Sequence, residues 1–248
     1  LMKKILITFI ALSGALIFSN PIWTQYEIEA NSAESAAKIV AATDEFMTSE
    51  FAKNNFKGSL HLNAYMANGD SKATHFFAVL QPSLTEHTRW MAASRASKEG
   101  QKFFGVLEDN SDNVSDRLNS FVQTYGTPSN KDTVWIIHEF NASPSNVEKV
   151  IKAFERVDSD TEGQFPGQFG LSAVAFGADE VTHLLTVGYE SIAELESWED
   201  QIATNKGVLR FQKTMDGIVE WKASKLLFNA KIYDSASDLE QFVTKDFE

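Results

Sequence analysis

The chain has 248 residues, 22 basic and 34 acidic side chains, a formal net charge of −12 at neutral pH, and no cysteine. Nucleic acid and anionic membrane surfaces are bound through clustered Lys and Arg, and the sequence has no basic stripe, so this composition argues against both as partners. Without cysteine, neither a disulfide nor a lipid-anchored cysteine can form.

The first 19 residues are expected to be a signal peptide. Lys3 and Lys4 precede an apolar run over residues 5–18, which is too short to span a bilayer comfortably. An uncleaved anchor is the alternative. Export without disulfides is typical of a bacterial periplasmic or secreted protein, so we expect that location and no stable membrane insertion after cleavage.

The second half of the chain repeats the first at an offset of 108 residues. Thr74-His75 returns as Thr182-His183. The other identities between positions 62 and 125 are Ala67/Ala175, Gly69/Gly177, Val79/Val187, Ser83/Ser191, Glu86/Glu194, Trp90/Trp198, Lys98/Lys206, Phe103/Phe211, Leu118/Leu226 and Tyr125/Tyr233. A period of this length suits a small domain better than a solenoid unit. We therefore predict a first repeat over 20–126, a linker over 127–131, a second repeat over 132–234 and a tail over 235–248.

Both repeats show the same order of predicted elements. A strand (23–30 or 134–140) precedes an amphipathic helix, with Ser32 or Ser143 as its expected N-cap. A hairpin (59–66 with 73–81, or 171–176 with 181–189) precedes a second helix capped by Ser83 or Ser191. A last strand (116–125 or 222–233) completes the β-α-β-β-α-β order of a ferredoxin-like unit, in the α+β class.

The third strand of each repeat is apolar on both faces, although the helices of such a unit cover only one face of its sheet. His75, Phe77 and Val79 alternate with Phe76 and other apolar residues. The second face needs another cover, and the other repeat can supply it. We predict that the two repeats pack sheet to sheet about a pseudo-twofold axis as an α+β barrel.

Residues 184–211, which include the run GYESIAELESW at 188–198, resemble the third strand and second helix of the antibiotic-biosynthesis-monooxygenase-like dimeric α+β barrels. Those proteins usually build the barrel from two chains, and this chain looks like both halves fused. The resemblance implies oxidation of a small molecule without a cofactor, so any activity would be that of a monooxygenase-like oxidoreductase. No catalytic motif decides whether the chain is an enzyme.

His75 and His183 are the candidate catalytic residues. Both repeats place Thr-His at the start of the third strand, and a histidine that enters a cavity from a strand can act as a base or a metal ligand near neutral pH. The alternative is that each ring only hydrogen-bonds at the hairpin end. No metal site is expected, because no His/Cys cluster has ligand spacing.

The candidate ligand-binding residues are Trp90, Trp198, Asn31, Asn141, Tyr125, Tyr233 and His138. The tryptophans can wall an apolar pocket or serve only as core anchors, and the tyrosines can orient a ligand or merely close the barrel. His138 has no counterpart in the first repeat, where Glu29 or Ala30 falls at the matching position. A polar residue on a strand edge is the alternative for it.

Heme-degrading members of the resembled group use an Asn at the first strand, a Trp on the second helix and a later His. Asn31, Asn141 and both tryptophans match the first two positions, but Gly100 and Val208 stand where the His would be. Without that axial ligand, heme is disfavoured, and no cofactor is expected.

Three functions follow from this reading. The first is an exported protein that binds, or oxidises without a cofactor, a small hydrophobic or aromatic molecule. The second is a non-catalytic binding or scaffold module, and the third is a heme-binding protein. A binder should contain a cavity that reaches the histidine or tryptophan, whereas a scaffold should be filled by phenylalanine. The chain is expected to be a monomer or a higher homo-oligomer.

Overall fold

The computed structural model describes residues 21–126, 131–161, 164–177 and 180–234. The predicted signal peptide, the linker residues 127–130 and the predicted tail lie outside the described residues, so these assignments remain predictions. None of the described helices is long and apolar enough to cross a membrane.

The first repeat contains four strands and four helices in the predicted order, with each helical region split in two. Its elements are β1 (Ile22–Ala30), α1 (Ala33–Met47), α2 (Glu50–Asn55), β2 (Ser59–Ala67), β3 (His75–Gln81), α3 (Leu84–Ala96), α4 (Lys98–Asn110) and β4 (Ser111–Gly126). Ser32 and Ser83 cap α1 and α3 as expected, and Ser97 caps α4 through the amide of Gly100.

The second repeat has the same order of strands, but among its described residues only one helix lies between its first two strands. Its elements are β5 (Val134–Ala142), α5 (Val147–Asp160), β6 (Gln168–Phe176), β7 (His183–Tyr189), α6 (Ile192–Ile202), α7 (Lys206–Asp216) and β8 (Val219–Asp234). Ser191 caps α6 as expected. The expectation for Ser143 was wrong, because α5 begins later and its N-cap is Asn146, which makes no side-chain capping bond.

All eight strands form one closed antiparallel barrel in the order β1-β3-β2-β8-β5-β7-β6-β4. Each repeat contributes four adjacent strands in ferredoxin-like order, and the repeats are joined where β2 pairs with β8 and β4 pairs with β6. The predicted α+β barrel of two fused ferredoxin-like repeats is therefore confirmed. A closed sheet leaves no exposed edge strand.

Three clusters of buried side chains form the core. Two lie under the helices, one in each repeat. The third fills the barrel interior with residues from both repeats, including Trp23 and Phe76 from the first and Ile137 and Leu184 from the second. The predicted two-faced third strand is confirmed in β3, because Phe77 and Val79 pack under the helices while Phe76 and Ala78 face the interior.

The offset between the repeats is not constant along the chain. It is 108 residues for β3 and β7 and for β4 and β8. Leu60 pairs with Val79 and Phe169 with Val187, which makes the offset 109 between β2 and β6. It is 112 between β1 and β5, because Ile22 pairs with Gln81 and Val134 with Tyr189.

This change of offset corrects the reading of His138. At an offset of 112 its counterpart is Tyr26, not Glu29 or Ala30. Tyr26-Glu27-Ile28 in β1 is therefore equivalent in position to His138-Glu139-Phe140 in β5. Both first strands carry a glutamate at the same place.

Candidate functional site

A cavity of about 640 Å³ lies in the second repeat, between the outer face of the sheet and helices α5, α6 and α7. This volume is typical of a site for one small ligand. Its aromatic lining residues are Phe154, Phe165, Phe169, Tyr189, Trp198, Phe211 and Trp221. The polar and charged lining residues are His138, Thr161, Glu199, Gln212, Asp216, Lys222 and Ser224.

The sheet side of the cavity follows from strand alternation. Ile136 and His138 on β5, and Leu185, Val187 and Tyr189 on β7, are each two residues apart and so share the outer face. The two strands are direct neighbours in the barrel.

The helical side places Trp198 against Phe165. Trp198 is buried on α6, and its ring meets that of Phe165 edge to face at a centroid distance of 5.2 Å. Phe154 on α5 meets Phe211 on α7 in the same geometry at 5.0 Å. These contacts place four aromatic rings on the cavity wall.

His138 is the histidine of the cavity. Its Nδ1 lies 2.7 Å from the Ser224 hydroxyl, and its ring stands edge to face with Trp221 at 6.0 Å. Burial lowers the pKa of His138 to about 4, so the ring is neutral at neutral pH. When Nδ1–H donates to Ser224, Nε2 becomes the acceptor nitrogen.

The first repeat has aromatic rings at two positions equivalent to residues of the cavity lining. At the offset of 108, Phe77 is equivalent to Leu185 and Phe104 is equivalent to Gln212. The rings of Phe103 and Phe104 are 5.3 Å apart, and those of Phe77 and Phe103 are 6.1 Å apart.

Phe46 adds a further ring to this cluster. It lies 4.9 Å from Phe103 and 5.5 Å from Trp90. The buried faces of α1 and α5 match at an offset of 111, with Ile39 equivalent to Val150, so the counterpart of Phe46 in α5 is the smaller Val157. The hydroxyl of Tyr26, the counterpart of His138, forms a hydrogen bond with His87 Nε2 at 3.0 Å. The two repeats are therefore not equivalent at these positions.

The structure places two of the nine predicted site residues, His138 and Trp198, in the cavity. His75 and His183 do not line it. Each begins its strand, with Nδ1 2.9 or 2.8 Å from the hydroxyl of the preceding threonine, and burial lowers the pKa of both. This is the hydrogen-bonded hairpin-end arrangement that the sequence left as the alternative.

The other five predicted residues also lie outside the cavity lining. Trp90 belongs to the aromatic cluster of the first repeat, and the ring of Tyr125 stacks on that of Phe169 at 5.0 Å. The Tyr233 hydroxyl donates to Asp44 at 2.5 Å. Asn31 donates to the Asp109 carbonyl at 3.4 Å, and Asn141 accepts from the Thr182 amide at 3.0 Å. Among the residues described by the structure, no group of three or more potential ligands could hold a metal ion.

Sequence reasoning missed a buried network of charges inside the barrel. Lys225 Nζ lies 3.0 Å from a carboxylate oxygen of Glu27 and of Glu139, and Arg117 pairs with Glu139. The Tyr65 hydroxyl donates to Glu27 at 2.5 Å. Both ion pairs from Lys225 to Glu27 and from Arg117 to Glu139 cross between repeats.

The charged residues of this network occupy equivalent positions in the two repeats, and that equivalence is the sequence signal that could have predicted the network. Glu27 and Glu139 are equivalent at the offset of 112, and Arg117 and Lys225 at 108. Burial by itself raises the pKa of Glu27, but the charge of Lys225 and the hydrogen bonds from Ser115 and Tyr65 outweigh it and hold that pKa below its usual value. These charges are satisfied by one another, so the network joins the repeats and leaves the cavity as the candidate site.

No protein-family model matches the chain, and no curated protein matches it. Among solved structures it is similar to a putative monooxygenase from Lactobacillus acidophilus, with 10% identity, a TM-score of 0.62, and coverage of 87% of this chain and 97% of that one. A putative monooxygenase from Fusobacterium nucleatum gives 11% identity, a TM-score of 0.63, and coverage of 87% and 95%.

A heme-binding protein from Thermus thermophilus is also similar, with 10% identity, a TM-score of 0.53, and coverage of 86% of this chain and 92% of that one. At such low identity these matches establish the fold. The chain therefore has the fold of the monooxygenase-like α+β barrels, with both ferredoxin-like repeats in one polypeptide.

Proposed function

We propose that the protein binds a small hydrophobic or aromatic molecule in the cavity of the second repeat. The observation that carries this proposal is the cavity of about 640 Å³ with its largely aromatic lining. The first repeat has Phe77 and Phe104 at the positions of the lining residues Leu185 and Gln212. A barrel that served only as a scaffold gains nothing from an open cavity, because unfilled apolar space costs stability.

The walls suit a flat ligand with few polar groups. Trp198, Phe165 and Phe211 offer apolar ring surface, and the His138–Ser224 pair offers one place for a ligand hydroxyl or carbonyl. Small-molecule sites commonly combine an apolar lining with a few polar groups that fix orientation.

Oxidation of the bound molecule by dioxygen is a second candidate, favoured by the position of His138 on the cavity wall. Its acceptor nitrogen can take a hydrogen bond from an acidic ligand hydroxyl and orient it, while a pKa of about 4 makes the imidazole too weak a base to hold the proton at neutral pH. In the balanced reaction the ligand loses two hydrogen atoms, one atom of dioxygen enters the ligand and the other leaves as water. The similar structures described as putative monooxygenases support this step. A His138→Gln variant should then lose oxygen consumption while retaining ligand binding.

Heme does not fit the cavity well. The imidazole of His138 is a suitable ligand type, but the carboxylates of Glu199 and Asp216 line the cavity, and Lys222, its one lining cation, is already 2.8 Å from Glu220. The propionates of heme would meet like charges there. A colourless protein that takes up no added heme is the expected result, and a strong visible absorption band would contradict it.

Export to the periplasm or the medium remains part of the proposal, on the strength of the N-terminal sequence. The mass of the protein isolated from each cell fraction tests it. A mature form lacking the basic and apolar leader is expected outside the cytoplasm.

Binding is tested by native against denaturing mass spectra of the purified mature protein, in wild type and in a variant whose cavity is filled. The filled variant is Leu185→Phe with Gln212→Phe, which copies the first repeat. Leu209→Phe is the control, because Leu209 lies on α7 but is 44% exposed and outside the lining.

We expect a retained mass, or uptake of a naphthalene probe, in the wild type and the control. The filled variant should lose at least about ten-fold in affinity, since the added rings occupy the ligand's volume. Equal binding by the filled variant would contradict the proposed site.

A further inference from the structure

We propose that the cavity of the second repeat selects organic cations, such as an aryl-alkyl ammonium, over uncharged or anionic molecules of the same shape. The inference rests on the proposed function and adds a charge preference to it. The carrying observation is a cavity of about 640 Å³ that combines an aromatic wall with two carboxylates.

The two carboxylates are those of Glu199 on α6 and Asp216 on α7. Both line the cavity, and neither forms an ion pair with any residue that the structure describes. Each therefore keeps its charge available to a ligand, on opposite helices above the same cavity.

The positive groups near the cavity do not offset these charges. Lys222 is the lining cation, and it lies 2.8 Å from Glu220 and 4.0 Å from Glu180. His138 contributes no charge at neutral pH, since its burial lowers its pKa. The formal charge of the lining residues is therefore negative, because two carboxylates face one lysine.

The hydroxyl of Tyr189, on the wall of the cavity, is affected by one of these two carboxylates. Burial first, and then the charges of Glu199 and Glu194, raise the pKa of its hydroxyl. The field of Glu199 thus reaches an aromatic ring of the lining.

A basic groove lies next to the cavity. Lys149, Lys152, Arg156 and Arg210 line a separate groove of about 310 Å³ between α5 and α7. Val157 and Phe211 line both spaces. In that groove both arginines pair with Asp160, at 3.7 and 2.6 Å.

Aromatic rings add to the preference for a cation. A cation over the face of Trp, Tyr or Phe is attracted by the ring quadrupole, and aromatic cages are the usual sites for quaternary and alkyl ammonium groups. Trp198, Trp221 and Tyr189 are such rings in this cavity. The net charge of −12 would also favour the approach of a cation.

The test compares three probes that share one ring: 1-naphthylmethylamine, 1-naphthalenemethanol and 1-naphthoic acid. Their affinities for the full chain are measured by calorimetry at neutral pH and low salt. We expect the amine to bind about three- to ten-fold more tightly than the alcohol, and the acid more weakly than both.

The variant Glu199→Gln with Asp216→Asn should remove most of the preference for the amine, measured as the ratio of its affinity to that of the alcohol. Salt at about 0.5 M should reduce the preference as well, since both carboxylates are exposed. Glu196→Gln is the matched control, because it removes an exposed acid from α6 that does not line the cavity.

The outcomes distinguish a failure of the charge preference from a failure of the proposed binding site. If the alcohol binds and the amine binds no more tightly, the charge preference is overturned and the binding site stands. If none of the three probes binds, both are overturned. A preference that persists in the Glu199→Gln, Asp216→Asn variant would also overturn the assignment to these carboxylates.

Discussion

The Nζ atom of Lys225 on β8 lies 3.0 Å from Oε1 of Glu27 on β1, so an ion pair crosses the barrel interior from the second repeat to the first. Both side chains are almost fully buried, and Glu139 accepts from the same lysine at 3.0 Å. A charge in this environment is tolerated only while its partners are present. The pair therefore couples the folding of the two repeats.

Replacing Lys225 by Met should lower the free energy of unfolding by about 3–5 kcal/mol, because two buried carboxylates lose their common partner. Chemical denaturation at neutral pH measures the loss. Lys38→Met is the control, since Lys38 pairs with Glu34 on an exposed helix face and should change stability by less than about 0.5 kcal/mol. Equal effects of the two variants would refute the structural role of the network.

All five histidines should make the protein less stable in mild acid. Burial lowers the pKa of His61 and His138 to about 4 and lowers the pKa of the other three, whereas their unfolded value is 6.5. Between these values the unfolded chain binds more protons than the folded one. The contribution of these histidines to the free energy of unfolding is therefore fully present above pH 6.5. It falls as the pH drops toward 4, by up to about 1.4 kcal/mol per pH unit for each such histidine.

Denaturation curves collected at intervals between these two pH values test this expectation. The double variant His61→Asn, His138→Gln should show a shallower dependence than the wild type. An unchanged slope would mean that neither imidazole is neutral in the folded state.

The five tyrosines should resist ionisation in the folded protein. Burial is the largest cause in every case, and it raises the pKa of Tyr26 to about 12 and raises the pKa of Tyr65, Tyr125, Tyr189 and Tyr233. The stability they contribute is present below the unfolded value of 10.0 and is lost as the pH rises above it. Ultraviolet titration should show little tyrosinate in the native protein at about pH 11 and ordinary titration in denaturant.

A Gly167→Ala substitution should destabilise the protein by at least about 2 kcal/mol. A Cβ at this position would lie 1.9 Å from the backbone oxygen of Gly188, and Gly58 meets Leu80 in the same way in the first repeat, at 2.0 Å. Gly105→Ala is the control, because a Cβ there meets nothing within 4 Å. Since Gly105 lies inside α4, its replacement should instead stabilise the protein by about 0.5–1 kcal/mol. Thermal melts of the two variants should shift in opposite directions.

The sequence predicted the order of elements because that order depends on local signals. The serine caps at Ser32, Ser83 and Ser191 mark helix starts, and the two apolar faces of β3 indicate a sheet covered on both sides. These signals operate over a few residues and need no knowledge of distant contacts. They were sufficient for two ferredoxin-like repeats and an α+β barrel.

Matching between the repeats succeeded only where the offset was constant. From β3 to β4 it is 108, so the pairing of His75 with His183 and of Trp90 with Trp198 is correct. Between β1 and β5 it is 112, which hid Tyr26 as the counterpart of His138. The same shift hid the pair Glu27 and Glu139, whose position inside a barrel is decided by strand register.

The sequence by itself therefore determined the repeat, the strand and helix order, the fold class and the net acidity, all of which follow from local pattern and composition. Only the tertiary structure decided which histidine reaches a cavity, which charges are buried together, and that the second repeat contains a cavity. The physical reason is that cavities and buried ion pairs depend on the volumes and positions of side chains from elements far apart in the chain. A single exchange such as Phe77 for Leu185 changes the space in a core without changing the pattern that specifies the fold.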